Sequence, residues 1–167
     1  PYGGEKDLAA GLIRAVGNPE RRFEEDALRM LRATRLASQL VGFKIEGETK
    51  MAIKKNAAWL QAISKERIRD EFSKIVMTEA AWPGLELLQK HGLLKYIVPE
   101  LEEGIGCTQN KHHVYTVWEH NMRSLDYAAK HNWPLAVRLG ALLHDVAKPR
   151  SKRGEGPDSP FYGHDVL

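Results

Sequence analysis

The amino-acid sequence predicts an all-α chain, a multi-helix bundle followed by a second helical region. Three observations carry that prediction. Apolar residues recur at helical rather than alternating spacing along most of the 167 residues. Glycine, proline and small polar residues fall where helices would start and stop. Strand signals are sparse throughout.

Taken in order, Leu12–Val16 is the one ambiguous stretch, either a short strand or a helix end. A long helix over roughly 24–41 follows, with Leu28, Met30, Leu31, Leu36 and Leu40 on its buried stripe and Gly42 as its C-cap. Residues 48–63 repeat the pattern through Met51, Ile53, Ala57, Leu60 and Ile63. Ser64 then reads as an N-cap, with Glu66 in the first turn and Ile68, Phe72, Ile75 and Val76 at helical spacing. Trp82-Pro83 starts a further helix that carries Leu85, Leu87 and Leu88 before Gly92. Residues 102–112 are polar and contain glycine, which marks a boundary. Beyond it lie helices at about 115–131 and 134–147, and then a polar loop over 150–158. The expected divisions are 1–63, 64–108 and 109–167.

Composition is that of ordinary globular material, 43% apolar and 28% charged. No apolar run reaches bilayer-spanning length, and no signal peptide is visible. Cys107, the one cysteine, has no internal partner and is expected as a free thiol in a reducing cytoplasm. Net charge is +3. Lysine plus arginine outnumber aspartate plus glutamate 11 to 8 in residues 1–60 and 8 to 6 in 111–167, but trail 6 to 8 in between. Such mild bias is compatible with phosphate contacts at both ends and far too weak to establish nucleic-acid binding.

Two constellations carry chemistry. The first is Glu25-Asp26-x-x-Arg29-x-x-Arg32-x-x-Arg35. On a helix these three-residue steps follow one oblique ridge, and Asp26 to Arg35 spans about 14 Å, roughly the reach of an extended nucleotide. A carboxylate and a guanidinium one turn apart present an acceptor and donors to a base edge, and the following arginines offer forked donors to phosphate. The competing description is an amphipathic helix whose charges are solvated or paired at i,i+3.

The order Tyr2-Gly-Gly-Glu-Lys-Asp-Leu8, Ile13-Arg14, Val16-Gly17, Pro19, Arg22-Phe23-Glu-Glu25-Asp26-x-x-Arg29-x-x-Arg32-Ala-x-Arg35, then Gly42-Phe43, resembles the neck of the bacterial tRNA nucleotidyltransferase and poly(A) polymerase family. Gly92-Leu-Leu-Lys-Tyr-Ile-Val-Pro99-Glu100-Leu101 resembles that family's body. The resemblance implies that Glu25, Asp26 and Arg29 form the template that reads an incoming CTP or ATP, with Arg32 and Arg35 as further nucleotide contacts. It also implies a parent enzyme that adds CMP or AMP to the 3'-end of tRNA or another RNA, using Mg2+ held by a catalytic head. The head's glycine turn and Asp-x-Asp pair do not occur in this sequence. The expectation is therefore an internal fragment without catalytic residues of its own for nucleotidyl transfer, inactive in that reaction, with weak nucleotide affinity at best.

The second constellation is His120, His144-Asp145 and His164. Histidine and carboxylate ligands suit a divalent transition metal, although a lone histidine such as His120 is more often a surface or capping residue. Leu142-Leu-His144-Asp145-Val-Ala-Lys148-Pro resembles the HD superfamily of metal-dependent phosphohydrolases. That resemblance implies metal ligands at His120, His144 and Asp145, with His164 like a further histidine of some members. No residue matches the superfamily's distant aspartate, since Asp158 and Asp165 lie too near the pair, so the HD domain reads as truncated. Two other functions stay open: a phosphohydrolase acting on RNA-end or cyclic phosphates, and a helical RNA-docking module without chemistry. Oligomeric state is not legible.

Overall fold

The computed structural model describes residues 2–109, 114–154, 156 and 159–163. These are overwhelmingly helical, as expected, and they divide into two compact units, Pro1–Ile97 and Val98–Leu167. Among the described residues no helix is long and apolar enough to cross a membrane.

The first unit opens with α1 (Gly4–Ala9), β1 (Leu12–Ile13), α2 (Pro19–Glu25), α3 (Leu28–Gln39), β2 (Lys44–Ile45) and α4 (Gly47–Asn56). A 3-10 turn (Ala57–Ala62), α5 (Lys65–Val76), α6 (Ala81–Lys90) and a second 3-10 turn (Leu94–Tyr96) complete it. The ambiguous Leu12–Val16 stretch resolves as a strand: Leu12 and Ile13 pair in parallel with Lys44 and Ile45. Its core gathers Phe23, Leu28, Leu31, Ile53, Leu60, Phe72, Ile75, Leu85 and Leu88, each buried. α3, from the expected neck, packs on α5 and α6, from the expected body.

Three helices differ from expectation, and the one expected over 134–147 ends at Leu143. The helix expected over 24–41 is broken, because Asp26 adopts extended backbone angles (φ −157°, ψ 100°) at the end of α2. Its Oδ1 accepts from the Leu28 N–H at 3.1 Å. A short acceptor that satisfies a nearby N–H offers the backbone an alternative to continuing the helix, so α2 stops and α3 starts anew. The segment expected as one helix over 48–63 tightens to 3-10 geometry after Asn56. Leu36 and Leu40, expected to be buried, are 37% and 40% exposed.

The α3–α5–α6 junction admits no extra atoms at Gly84. A Cβ there would stand 2.7 Å from Ile75 Cγ2 and 3.1 Å from Ser38 Cβ, and Ile75 is fully buried. Gly84→Ala is therefore expected to destabilise the fold by roughly 1–3 kcal/mol, the usual result of overpacking. Denaturant unfolding of the two proteins measures it directly.

The second unit contains α7 (Pro99–Glu103), α8 (Val117–Lys130), α9 (Leu135–Leu143) and the short α10 (Lys148–Ser151). α8 and α9 pack together as its principal helix pair, with Met122, Leu125, Ala128 and Leu142 buried. Arg138 is 2% exposed. It donates to the carbonyls of Trp133 at 2.8 Å and Ala129 at 3.3 Å, so it satisfies the open end of α8 and fixes the turn into α9.

Candidate functional site

Each unit positions one candidate site. In the first, the β1–β2 pair sets the course of the Arg14–Gly17 loop, which the Ala15 N–H ties to Thr49 Oγ1 at 3.1 Å. Asn18 then caps α2, its Oδ1 accepting from the Arg21 N–H, with Pro19 in the first turn. Loop, α2 and α3 enclose a cavity of about 320 Å3 lined by Ile13, Val16, Phe23, Ala33 and Leu36, with Arg14, Arg22, Arg29 and Arg32 also on its walls. Apolar walls with guanidinium groups suit a flat, phosphorylated ligand.

The structure brings only part of the expected motif to this cavity. Arg29 and Arg32 line it, whereas Asp26 and Arg35 do not. Arg29 Nη1 donates to Glu25 Oε2 at 2.7 Å, and Arg22 donates to the same oxygen at 2.9 Å. These bonds, that from Arg29 foremost, hold the exposed Glu25 carboxyl below its ordinary pKa. Asp26 accepts from Arg67 at 2.9 Å; burial pushes its pKa up, but the bonds from Arg67 and the Leu28 N–H outweigh this and leave it lowered. Arg35 donates to Glu71 at 2.8 Å and to Gln39 at 2.7 Å. Arg32 stands 3.7 Å from Glu71 with half its side chain exposed.

The expected single rod with an acid and three cations in a row is thus replaced by two groups. Arg29 and Arg32 stand at the cavity, while Asp26 and Arg35 engage residues of α5. The cause is the Asp26 break together with Glu71, whose side chain is 5% exposed. Burial would raise the Glu71 pKa, but its bonds to Lys74 and Arg35 prevail and lower it. Val16, Arg22 and Phe23 escaped the sequence reading as cavity residues; the signal available was their place at the mouth of α2, directly before the motif.

In the second unit, Thr116 and Glu119 form a reciprocal capping box at the start of α8. It sets His120 in the first turn, while α9 ends at His144. One ligand atom each from His120, His144 and Asp145 lies within 4.8 Å of the others, and among the described residues this is the one such group of three. The two Nε2 atoms are 3.0 Å apart, and each is 3.3 Å from Asp145 Oδ2. The His144 Nδ1 faces the Ala141 carbonyl at 2.9 Å, a bond that in the neutral ring leaves Nε2 with its lone pair toward the cluster.

Asp145 is 6% exposed. Its pKa is pushed up by burial and pulled down further by hydrogen bonds from His144 and Lys148, so it stays ionised. Lys148 Nζ bridges Asp145 at 2.7 Å and Gln109 at 2.9 Å. The Asp145 hydrogen bond, against the opposing effect of burial, raises the His144 pKa. His164, the fourth expected ligand, lies outside the described residues, as do Asp158 and Asp165.

The donor set fits a transition ion. Ligands at 2.0–2.1 Å in tetrahedral array stand about 3.3 Å apart, close to the three separations observed. It does not fit magnesium, which takes oxygen ligands.

By its architecture the first unit is a helical fold with an arginine-walled cavity between α2 and α3. Comparisons with known proteins sharpen this. Residues 42–105 match the family described as "Probable RNA and SrmB- binding site of polymerase A". The A-adding tRNA nucleotidyltransferase of Deinococcus radiodurans is 36% identical, over 99% of this chain and 39% of its own length. The multifunctional CCA protein of Pseudomonas syringae is 35% identical, over 100% of this chain and 42% of its own length. The crystal structure of the Bacillus stearothermophilus CCA-adding enzyme in complex with CTP is 34% identical and superposes with a TM-score of 0.54, covering 77% of this chain and 28% of that one. The chain belongs to the bacterial tRNA nucleotidyltransferase family and spans about two fifths of the length of those curated relatives.

Proposed function

We propose that this chain is the nucleotide-reading neck and RNA-facing body of an enzyme that adds CMP, AMP or both to the 3'-end of tRNA in the cytoplasm. The observation that carries this reading is the cavity shared by Arg29 and Arg32, set in a sequence whose relatives are nucleotidyltransferases. In this reading ATP or CTP lays its base on the apolar wall around Val16 and Leu36 and its phosphates toward the guanidinium groups. Asp26, Arg35 and Glu25 brace the motif, and Asp26 and Arg35 turn toward the nucleotide only by exchanging their present partners. In this reading Mg2+ belongs with the carboxylates of the catalytic head that the family resemblance implies. The chain alone is then inactive in nucleotidyl transfer.

Titration of this chain with CTP and ATP tests the reading. Arg32→Ala is expected to weaken binding about tenfold, the loss of one charge-assisted contact, with stability little changed, since Arg32 stands 3.7 Å from Glu71 whereas Arg35 bonds it at 2.8 Å. Arg35→Ala is expected to do the reverse. It leaves the buried Glu71 short of a partner, destabilising by about 1–3 kcal/mol, while affinity changes less than twofold. Equal affinities across the unmodified chain and Arg32→Ala would reject the cavity as the nucleotide site.

A second reading is favoured by the compact histidine and aspartate cluster: a metal-dependent phosphohydrolase of HD type that acts on phosphates at RNA ends. His120, His144 and Asp145 would hold the ion, which when bound supplies an activated water near neutral pH. Lys148 keeps Asp145 ionised and oriented, and the Ala141 carbonyl fixes the His144 ring.

A further inference from the structure

Beside the cluster, the second unit carries an open cleft of about 620 Å3, within the range of small-molecule sites. His120 and His144 form one side of it, and Tyr115, Arg123, Tyr127 and Trp133 form much of the rest. We propose that this cleft binds the nucleoside of a phosphate-bearing RNA 3'-end, with the base on the Tyr127–Trp133 wall and the phosphate between Arg123 and the histidine edge. The proposal rests on the metal-site reading above and adds the part of the substrate that the cluster itself cannot recognise.

The wall is built to offer ring surface. Tyr127 is 57% exposed, Trp133 40% and Tyr115 39%, so three large rings meet water along a single cleft. They are not loosely hung. Tyr127 meets Trp133 edge-on, with centroids 5.6 Å apart at 70°, and His131 braces Tyr127 from 4.1 Å. His131 is held in turn by the Tyr127 carbonyl at 2.8 Å. Rings fixed in this way receive a flat base with little loss of side-chain freedom.

Charge points the same way. The Arg123 guanidinium lies 3.9 Å from the Tyr115 ring centroid; Glu119 is within its electrostatic reach and Asp145 stands behind the two histidines, but no carboxylate is itself among the described lining residues. On the α9 side the small residues Gly140 and Ala141 line the cleft, and a Cβ added at Gly140 would meet nothing within 4 Å, so the approach to His144 stays clear. A bare phosphate or an aliphatic phosphoester would use the cation and the histidines but leave the rings wet. A nucleotide uses all three.

The test uses the full chain loaded with cobalt(II), whose visible absorption reports ligands arriving at the cluster. Adenosine 3'-monophosphate is expected to perturb that spectrum with affinity at least about fivefold tighter than ribose 5-phosphate, which lacks the base. Tyr127→Ala and Trp133→Leu should each erase that preference while retaining cobalt affinity and the response to ribose 5-phosphate. Arg123→Ala should weaken both probes alike. Equal affinities for the two probes in the unmodified chain would overturn the proposal, as would a preference that survives both ring substitutions. Failure of the unmodified chain to bind cobalt would instead remove the metal reading. The cleft is then judged by quenching of Trp133 fluorescence with the same probes, where a base-dependent signal lost in Trp133→Leu upholds it and no such signal refutes it.

Discussion

His144→Ala is expected to abolish stoichiometric binding of zinc or cobalt, raising the dissociation constant at least about a hundredfold, beyond what loss of a supporting partner alone produces. The reason is geometric. With His144 removed, the remaining donors among the described residues are the nitrogen of His120 and the oxygen of Asp145, 3.3 Å apart, and a borderline ion held by two ligands exchanges freely with water. Folding should survive, because Asp145 keeps its 2.7 Å contact with Lys148. Metal-content analysis after dialysis, paired with a thermal melt, separates loss of a ligand from loss of the fold. Retention of one equivalent of cobalt by a folded His144→Ala protein would remove the site. Affinity in the unmodified chain should also fall as pH drops through the raised His144 pKa, since the proton occupies the Nε2 lone pair that the ion needs.

Legibility differed between the two sites for a physical reason. The His144-Asp145 pair lies at a helix end within two adjacent positions, and His120 lies one capping box into the neighbouring helix, so local rules bring the side chains into reach. The signal that fixes α8, Thr116 three residues before Glu119, was itself present in the sequence. The arginine motif is different. Its helical spacing is real, but where Arg35 points depends on Glu71, 36 positions away, and Asp26 answers to Arg67, 41 positions away. No spacing rule reports a buried carboxylate on another helix. The break at Asp26 was equally hidden, since apolar spacing runs through it undisturbed while the side chain competes for the Leu28 N–H. The aromatic cleft was missed because Tyr115, Arg123, Tyr127 and Trp133 converge only once α8 has turned back into α9.

A steep loss of stability on mild acidification is expected from His91. This residue closes α6, is 4% exposed, and among the described residues its Nδ1 has no hydrogen-bond partner. Burial foremost, then the nearby charges of Lys54, Lys50 and Lys90, pushes its pKa down to about 4. The unfolded chain, with an ordinary histidine near 6.5, therefore takes up the proton first. Acid favours unfolding: the His91 contribution is intact above pH 6.5 and is lost progressively as pH falls toward 4, by about 3 kcal/mol in all. His144 has the opposite sign, since its raised pKa contributes stability below 6.5 that disappears as pH rises through the folded value. The carboxylates with lowered pKa act mainly below pH 4.5. The clean measurement is a difference: denaturant unfolding of the unmodified chain and of His91→Leu at pH 7, 6, 5 and 4. The leucine keeps the buried volume and cannot titrate, so the gap between the two proteins should move by about 3 kcal/mol in favour of leucine across that range. A gap that stays constant with pH would mean that His91 is protonated in the folded protein, or reached by water.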